Sequence, residues 1–254
     1  MDLPNKLPIA DFPVCDMTQQ ELAALLLGAI CEKRKLTLFF ANTNFIVKCR
    51  SLLSRMRDRS VVIVNDGVGM DIAAALCHRR RFRDNLNGTD FTPFFFQCAA
   101  APLRVYMVGS RPDVLLKAAE HVHVRLGQKV VGGCDGYDGV KDVDGLLADI
   151  NQARPDIVLV AMGNPIQEAW ILQNRQLLDA HLVMGVGALF DFWAGDKPRA
   201  PTMVQKLRLE WLYRLALEPR RLFRRYTIDI GVFLGHCYKY HRVSKSSSTT
   251  TQSL

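Results

Sequence analysis

The 254-residue sequence has no apolar run long enough to cross a bilayer. Its charge-free stretches, such as Phe91–Leu103, fall short of the ~18 residues a spanning helix needs. The N-terminus, MDLPNKLPIADFPV, lacks a basic region followed by an apolar one, so no signal peptide is expected and the chain is assigned to the cytosol. Seven cysteines are scattered without a CxxC pair, which argues against a disulfide framework and a zinc site. Most of them read as small buried hydrophobes. His121 and His123, two apart, fall on different faces of a helix, so no metal pair is expected. There is no Walker A sequence, no GxSxG elbow, no HExxH and no internal repeat.

What is present is an ordinary globular composition, 49% hydrophobic and 23% charged, in a chain long enough to bury a sizeable core. The net charge of +8 is concentrated at one end. Lys197–Lys245 holds twelve Lys or Arg against Glu210, Glu218 and Asp229, a net of +9, so the rest of the chain nets −1. Such asymmetry points to a polyanionic partner at that end: nucleic acid, an anionic membrane, or a phosphate-bearing substrate. A solvated basic helix face is the alternative.

Thr18-Gln-Gln-Glu21 is a capping box opening a helix over Gln19–Lys33. Apolar strands and amphipathic helices then alternate. Strands are predicted over Leu36–Asn42, Val61–Asp66, Arg104–Ser110, Lys129–Gly136, Asp156–Gly163 and His181–Phe190. Helices are predicted over Phe45–Arg57, Met70–Arg80, Pro112–Leu126, Val143–Ala153 and Pro165–Asp179. The pattern predicts an α/β, doubly wound, mostly parallel (Rossmann-like) sheet, with ligands beyond the carboxyl ends of the strands. Beyond Pro201, two amphipathic basic helices broken near Glu218-Pro219 are expected, with Trp211, Leu212, Leu215, Leu222 and Phe223 on an apolar stripe. That stripe suits either a membrane interface or packing on the core. The expected division is a core of residues 1–196, a basic helical appendage of 197–243 and a disordered polar tail of 244–254.

Polar and glycine residues gather at the predicted strand ends: Asn42-Thr43-Asn44, Asp66-Gly67, Gly109-Ser110, Gly163-Asn164 and Gly187. Asp66, in a turn with Gly67 and Gly69, can serve as a general base, hold a ribose hydroxyl or cap a helix. Gly67-Val68-Gly69 lacks the full GxGxxG pattern of dinucleotide binders. Gly163-Asn164-Pro165-Ile166-Gln167-Glu168 starts a helix whose N–H groups form an anion site. Gln167 there is expected to point into the cleft, and Glu168 to complement the helix dipole. Gly185-Val186-Gly187-Ala188-Leu189-Phe190-Asp191 ends in an acid able to accept a hydrogen bond from a base or ribose.

The run Gly163-x-Pro165-x-Gln167-Glu168, Gly185 to Asp191, Arg199-Ala200-Pro201, Glu210-Trp211-x-Tyr213-Arg214 and Glu218-Pro219-x-Arg221-x-x-Arg224 resembles the WecG/TagA/CpsF glycosyltransferases (glycosyltransferase family 26). Asn44, Asp66-Gly67-x-Gly69 and Asn87-Gly88-Thr89-Asp90 precede it in the family's order. The resemblance, over roughly Leu36–Arg225, implies an inverting transferase. It would move a sugar from a UDP donor to a polyprenyl-diphosphate-linked saccharide at the cytoplasmic face of the inner membrane, without a metal or other cofactor. The implied catalytic residues are Asp66, as base, with Arg214, Arg221 and Arg224 from an appendage that closes over the diphosphate. The implied substrate-binding set is Asn42, Thr43, Asn44, Asn87, Thr89, Asp90, Gly109, Gly163, Gln167, Glu168, Gly185, Gly187 and Asp191, with Gln167 near the donor sugar. Many members have Thr-x-Asn where this chain has Asn42-Thr43-Asn44, so Asn42 or Thr43 takes the threonine's place. N-acetylmannosamine, N-acetylmannosaminuronic acid and glucose remain open as donor sugars, and a homo-oligomer is open too. The rival readings are a nicotinamide-dependent oxidoreductase and a basic-tail nucleic-acid binder, the latter without a recognisable reader motif.

Overall fold

A computed structural model describes residues 5–201, 203–204 and 209–250. Its centre is an eight-stranded sheet in the order β1-β2-β4-β3-β8-β7-β5-β6. The strands are β1 (Lys6–Ile9), β2 (Phe12–Cys15), β3 (Leu36–Ala41), β4 (Val61–Asn65), β5 (Arg104–Gly109), β6 (Lys129–Cys134), β7 (Ile157–Ala161) and β8 (Leu182–Gly185). All neighbours pair in parallel except β1 and β2. This is the expected α/β, Rossmann-like architecture.

Alternate residues of each central strand serve two cores. Phe39, Ile63, Val158 and Val160 face one layer, and Leu38, Phe40, Val62, Val64 and Leu159 face the other. Strands buried on both faces read as continuous apolar runs, which is why the sequence exposed them. The first layer holds α2 (Thr43–Lys48), α3 (Leu53–Met56), α4 (Val68–His78), α7 (Val143–Ala153) and α8 (Ile166–Asn174). The second holds α1 (Gln19–Cys31), α5 (Gly88–Cys98), α6 (Pro112–Val124) and α9 (Leu189–Trp193). The capping box forms as expected, Glu21 N donating to Thr18 Oγ1 at 3.2 Å and Thr18 N to Glu21 Oε2 at 3.0 Å.

Three local features add to or differ from the predicted elements. The N-terminal lead-in is a hairpin whose two turn residues, Ala10 and Asp11, both adopt positive φ, and β2 lengthens the sheet beside β4. The single helix expected over Phe45–Arg57 breaks at Cys49, where a 3₁₀ turn, Arg50–Leu52, intervenes. The Phe-rich run is the helix α5 despite Pro93. Asn87 caps its start, accepting from Asp90 N at 2.9 Å, and Phe91, Phe95 and Phe96 are buried beneath it.

Beyond the core lie α10 (Glu210–Leu217), α11 (Pro219–Tyr226) and α12 (Ile228–Thr250). The break at Glu218-Pro219 falls where proline predicts it, and a second occurs at Thr227. The backbone of α12 continues through Ser244–Thr250, the first part of the segment expected to be disordered, and 251–254 lie outside the described residues. Among the described residues no helix is long and apolar enough to cross a membrane. Phe233 and Cys237 of α12 are buried in the first core layer, and α12 packs on α2 and α4. The apolar stripe divides: Leu222 is buried, whereas Trp211, Leu212 and Phe223 are exposed.

Candidate active site

Asn42 and Asp66 stand at the adjoining carboxyl ends of β3 and β4, which pair Ala41 with Asn65. Asn42 caps α2, its Oδ1 accepting from Phe45 N at 3.1 Å, which turns its Nδ2 to donate to Asp66 Oδ2 at 3.1 Å. A helix cap thereby orients the carboxylate. Thr43 begins α2, and its methyl occupies the space a Cβ at Gly69 would need, 2.5 Å away. Glycine at that position lets the first turns of α2 and α4 approach.

The loop after α4 is pinned beside Asp66. Asn65 Nδ2 donates to Asp84 O at 2.8 Å, Leu86 N to Asn65 O at 3.1 Å, and Gly67 N to Asn85 Oδ1 at 2.6 Å. Gly67 has φ +91°, a conformation that glycine adopts without strain. The half-buried Thr89 lies in the first turn of α5, behind its cap Asn87.

Along the same edge of the sheet, β7 and β8 end in turns at Gly163 and Gly187, both with positive φ. Gln167, expected to reach into the cleft, is instead 3% exposed and spans these turns. Its Oε1 accepts from Gly163 N and Gly187 N, both at 3.1 Å, and its Nε2 donates to Glu168 Oε1 at 2.7 Å. A Cβ at Gly185 would press on that same Nε2. Glu168 lies in the first turn of α8, as a helix-dipole partner would, and is only 1% exposed. It accepts from Asn164 Nδ2 at 2.6 Å and from Cys49 Sγ at 3.5 Å, while Asn44 Nδ2 reaches Asn164 Oδ1 at 3.3 Å. Burial pushes the Glu168 carboxyl above its ordinary range, and the hydrogen bonds it accepts oppose that rise. Burial, with Glu168 beside it, also pushes the Cys49 thiol up.

Several N–H groups of the strand-end turns are therefore spent inside the protein. Besides Gly67, Gly163 and Gly187, Ser110 N donates to Ala161 O at 3.1 Å and Gly136 N to Ser110 O at 2.8 Å. Gly109, with φ +126°, lies so close to the Ala161 carbonyl that a Cβ would collide with it. The backbone anion site expected at Gly163–Glu168 thus has its Gly163 N–H already occupied.

Asp90 and Asp191, expected to bind substrate, are ion-paired to the segment that leaves the core. Arg199 pairs with Asp90, Lys197 with Asp191 Oδ2 at 2.7 Å, and Arg111 with Asp196 Oδ2 at 2.7 Å. Arg214 lies on α10 and Arg221 on α11, and both side chains lie outside the described residues. Arg224 is exposed on α11. The direction of α12 follows from its neighbours. Cys237 shares a hydrogen bond with Cys77 in the last turn of α4, and Tyr240 further along lies within electrostatic range of Asp11 and Arg57. Its first turn, and α11 before it, therefore lie toward the ends of α2 and α4 that carry Asn42 and Asp66.

Among the described residues no three His, Cys, Asp or Glu are grouped to hold a metal ion. An Asp-x-Asp string, Asp142-Val143-Asp144, serves as a cap for α7, Gly145 N donating to Asp142 Oδ1 at 3.0 Å. Sequence reasoning missed Asn65, Asn85 and Cys49, and it passed over the bridging role of Asn164. The turn at Gly163 flagged Asn164, but nothing local marked the partners it would meet.

Residues 7–247 match the family described as Glycosyl transferase WecG/TagA/CpsF. With that match spanning nearly the whole chain, the protein belongs to the WecG/TagA/CpsF family of glycosyl transferases.

Proposed function

We propose that this transferase of envelope polysaccharide synthesis moves a sugar from a UDP donor to a polyprenyl-diphosphate-linked saccharide, with inversion, and that Asp66 is the general base. The observation that carries this reading is the Asn42–Asp66 pair at the adjoining carboxyl ends of β3 and β4, 3.1 Å across. A carboxylate held by an amide that is itself locked as a helix cap is oriented before substrate arrives, as proton abstraction from an acceptor hydroxyl requires. In a single-displacement reaction the base takes that proton as the hydroxyl oxygen attacks the anomeric carbon, and the bond to the UDP oxygen breaks on the opposite face.

The leaving diphosphate needs countercharge. The strand-end N–H groups of Gly67, Gly163 and Gly187 already have internal acceptors, and cations of the appendage suit that task, with Arg214, Arg221 and Arg224 as the candidates. The docking of α12 on α2 and α4 supports this role. The exposed Trp211, Leu212 and Phe223 among basic residues suit an anionic membrane surface at the cytoplasmic face, where the lipid-linked acceptor resides. The test is UDP release from a panel of UDP-sugars with a short-chain polyprenyl-diphosphate saccharide, in the presence of EDTA. Acceptor-dependent release with one donor names the sugar. Asp66→Asn should lower kcat by ~10²–10⁴-fold while leaving the melting temperature near wild type; near-normal turnover would remove Asp66 from the base role.

A further inference from the structure

We propose that Glu168 is a positioning residue for the transfer reaction: its buried carboxylate fixes the orientation of Gln167 and Asn164 and thereby ties together the loops around the crevice. This inference rests on the reading of the site as a transferase centre. An ionised carboxylate only accepts hydrogen bonds, whereas an amide side chain donates from one end and accepts at the other. With Glu168 Oε1 taking both Gln167 Nε2 at 2.7 Å and Asn164 Nδ2 at 2.6 Å, both amides must turn their oxygens away from it. The Gln167 oxygen then caps Gly163 N and Gly187 N, joining the ends of β7 and β8. The Asn164 oxygen meets Asn44 Nδ2, joining the end of β7 to the first turn of α2, the helix that Asn42 caps against Asp66. One acceptor thus sets the donor–acceptor pattern of three loops without itself facing the cleft.

The geometry calls for an acceptor at this place and not for a charge. A glutamine at 168 can present its oxygen to Gln167 and Asn164 and its amide to Cys49. Leucine keeps the volume but removes the acceptor, leaving the Gln167 and Asn164 amide donors without it. Glu168→Gln, Glu168→Leu and Gln167→Met are compared in the donor-and-acceptor transfer assay, with amide hydrogen exchange of Gly163 and Gly187 measured on the same proteins.

Glu168→Leu is expected to lower kcat by about tenfold or more, with a smaller change in KM, and to release protection at both glycines. Glu168→Gln is expected to restore both. Gln167→Met, which removes the capping oxygen but leaves Glu168 in place, should match Glu168→Leu, and the double variant should be no slower than either. A folded Glu168→Leu protein with wild-type kcat overturns the proposal, as does Glu168→Gln behaving like Glu168→Leu. Should Glu168→Leu not fold, Gln167→Met and Glu168→Gln decide: unchanged kcat in the first or a loss in the second overturns it. A wild-type protein that transfers no sugar from any donor overturns the reading of the site and this role with it. That outcome is distinct from failure of the role alone, in which wild type and Glu168→Leu transfer equally well.

Discussion

At the scale of single residues, this site is built from amides that have been given one orientation each. Asn42, Asn85, Asn164 and Gln167 all use an oxygen or an N–H to hold a turn or a neighbouring side chain. Glu168 is the charged member of this set, and its place has a thermodynamic signature. Burial raises its folded-state pKa above the ordinary carboxyl value, so the native state binds this proton more tightly than the unfolded chain. The resulting stability is present below the unfolded pKa, ~4.3, and is lost as pH rises through the folded value. Denaturant titrations should therefore show Glu168→Gln gaining stability relative to wild type as pH rises from 4 to 8; parallel curves over that window would contradict the burial argument. Cys77 offers a second residue-scale test. The Cys237 thiol donates to its sulfur and brings Cys77 down to about 7. Alkylation of Cys77, followed by mass spectrometry, should be half-maximal near that pH, and Cys237→Ala should move the midpoint up toward ~8.5, the ordinary thiol value.

Among elements, α12 decides where the basic appendage stands. It is anchored by Phe233, 1% exposed, and Cys237, 3% exposed, in the core layer shared with α2 and α4. Burial of such a ring accounts for about 1.5–3 kcal/mol, and its truncation leaves a cavity as well. Phe233→Ala is expected to cost about 3–5 kcal/mol locally, seen as earlier hydrogen exchange of α12 against an unchanged central sheet. On the proposed role of the α10 and α11 arginines, transfer to a lipid-linked acceptor should fall with it. Full transfer activity with an undocked α12 would separate the appendage from the chemistry. The ion pairs Arg199–Asp90 and Lys197–Asp191 hold the near end of the same connection. They are partly exposed and screened by salt, so the apolar contacts of α12 carry more of the docking.

The whole molecule is electrically divided: residues 197–245 net +9 and the remainder −1. The positive part also displays Trp211, Leu212, Leu217 and Phe223 on its surface. Binding to vesicles should therefore require anionic lipid and weaken as ionic strength rises, with a residual contribution from the aromatic and aliphatic groups that salt does not remove. Sedimentation with phosphatidylcholine vesicles and with mixed phosphatidylglycerol vesicles, at low and high salt, measures both parts. Equal binding to the two compositions would leave the charge asymmetry without a membrane role.

What the sequence determined by itself was the layered sheet, since strands buried on both faces must be continuously apolar, and helices between them must carry one apolar stripe. It also gathered the glycine and polar turns at the strand ends, and the ordered motifs from Gly163 to Arg224 marked the family. Tertiary structure alone decided the hairpin at Ala10-Asp11, the helix that forms through Pro93, and the docking of α12. It also decided what the site's polar groups face. Gln167 could be assigned to the helix start from its neighbours in the chain, but its inward position depends on Glu168 and on Gly187, twenty residues away. Periodicity records which face of an element is apolar. The partners of a buried amide or carboxylate are set by which strand ends lie side by side, and only the assembled sheet brings β3, β4, β7 and β8 to one edge.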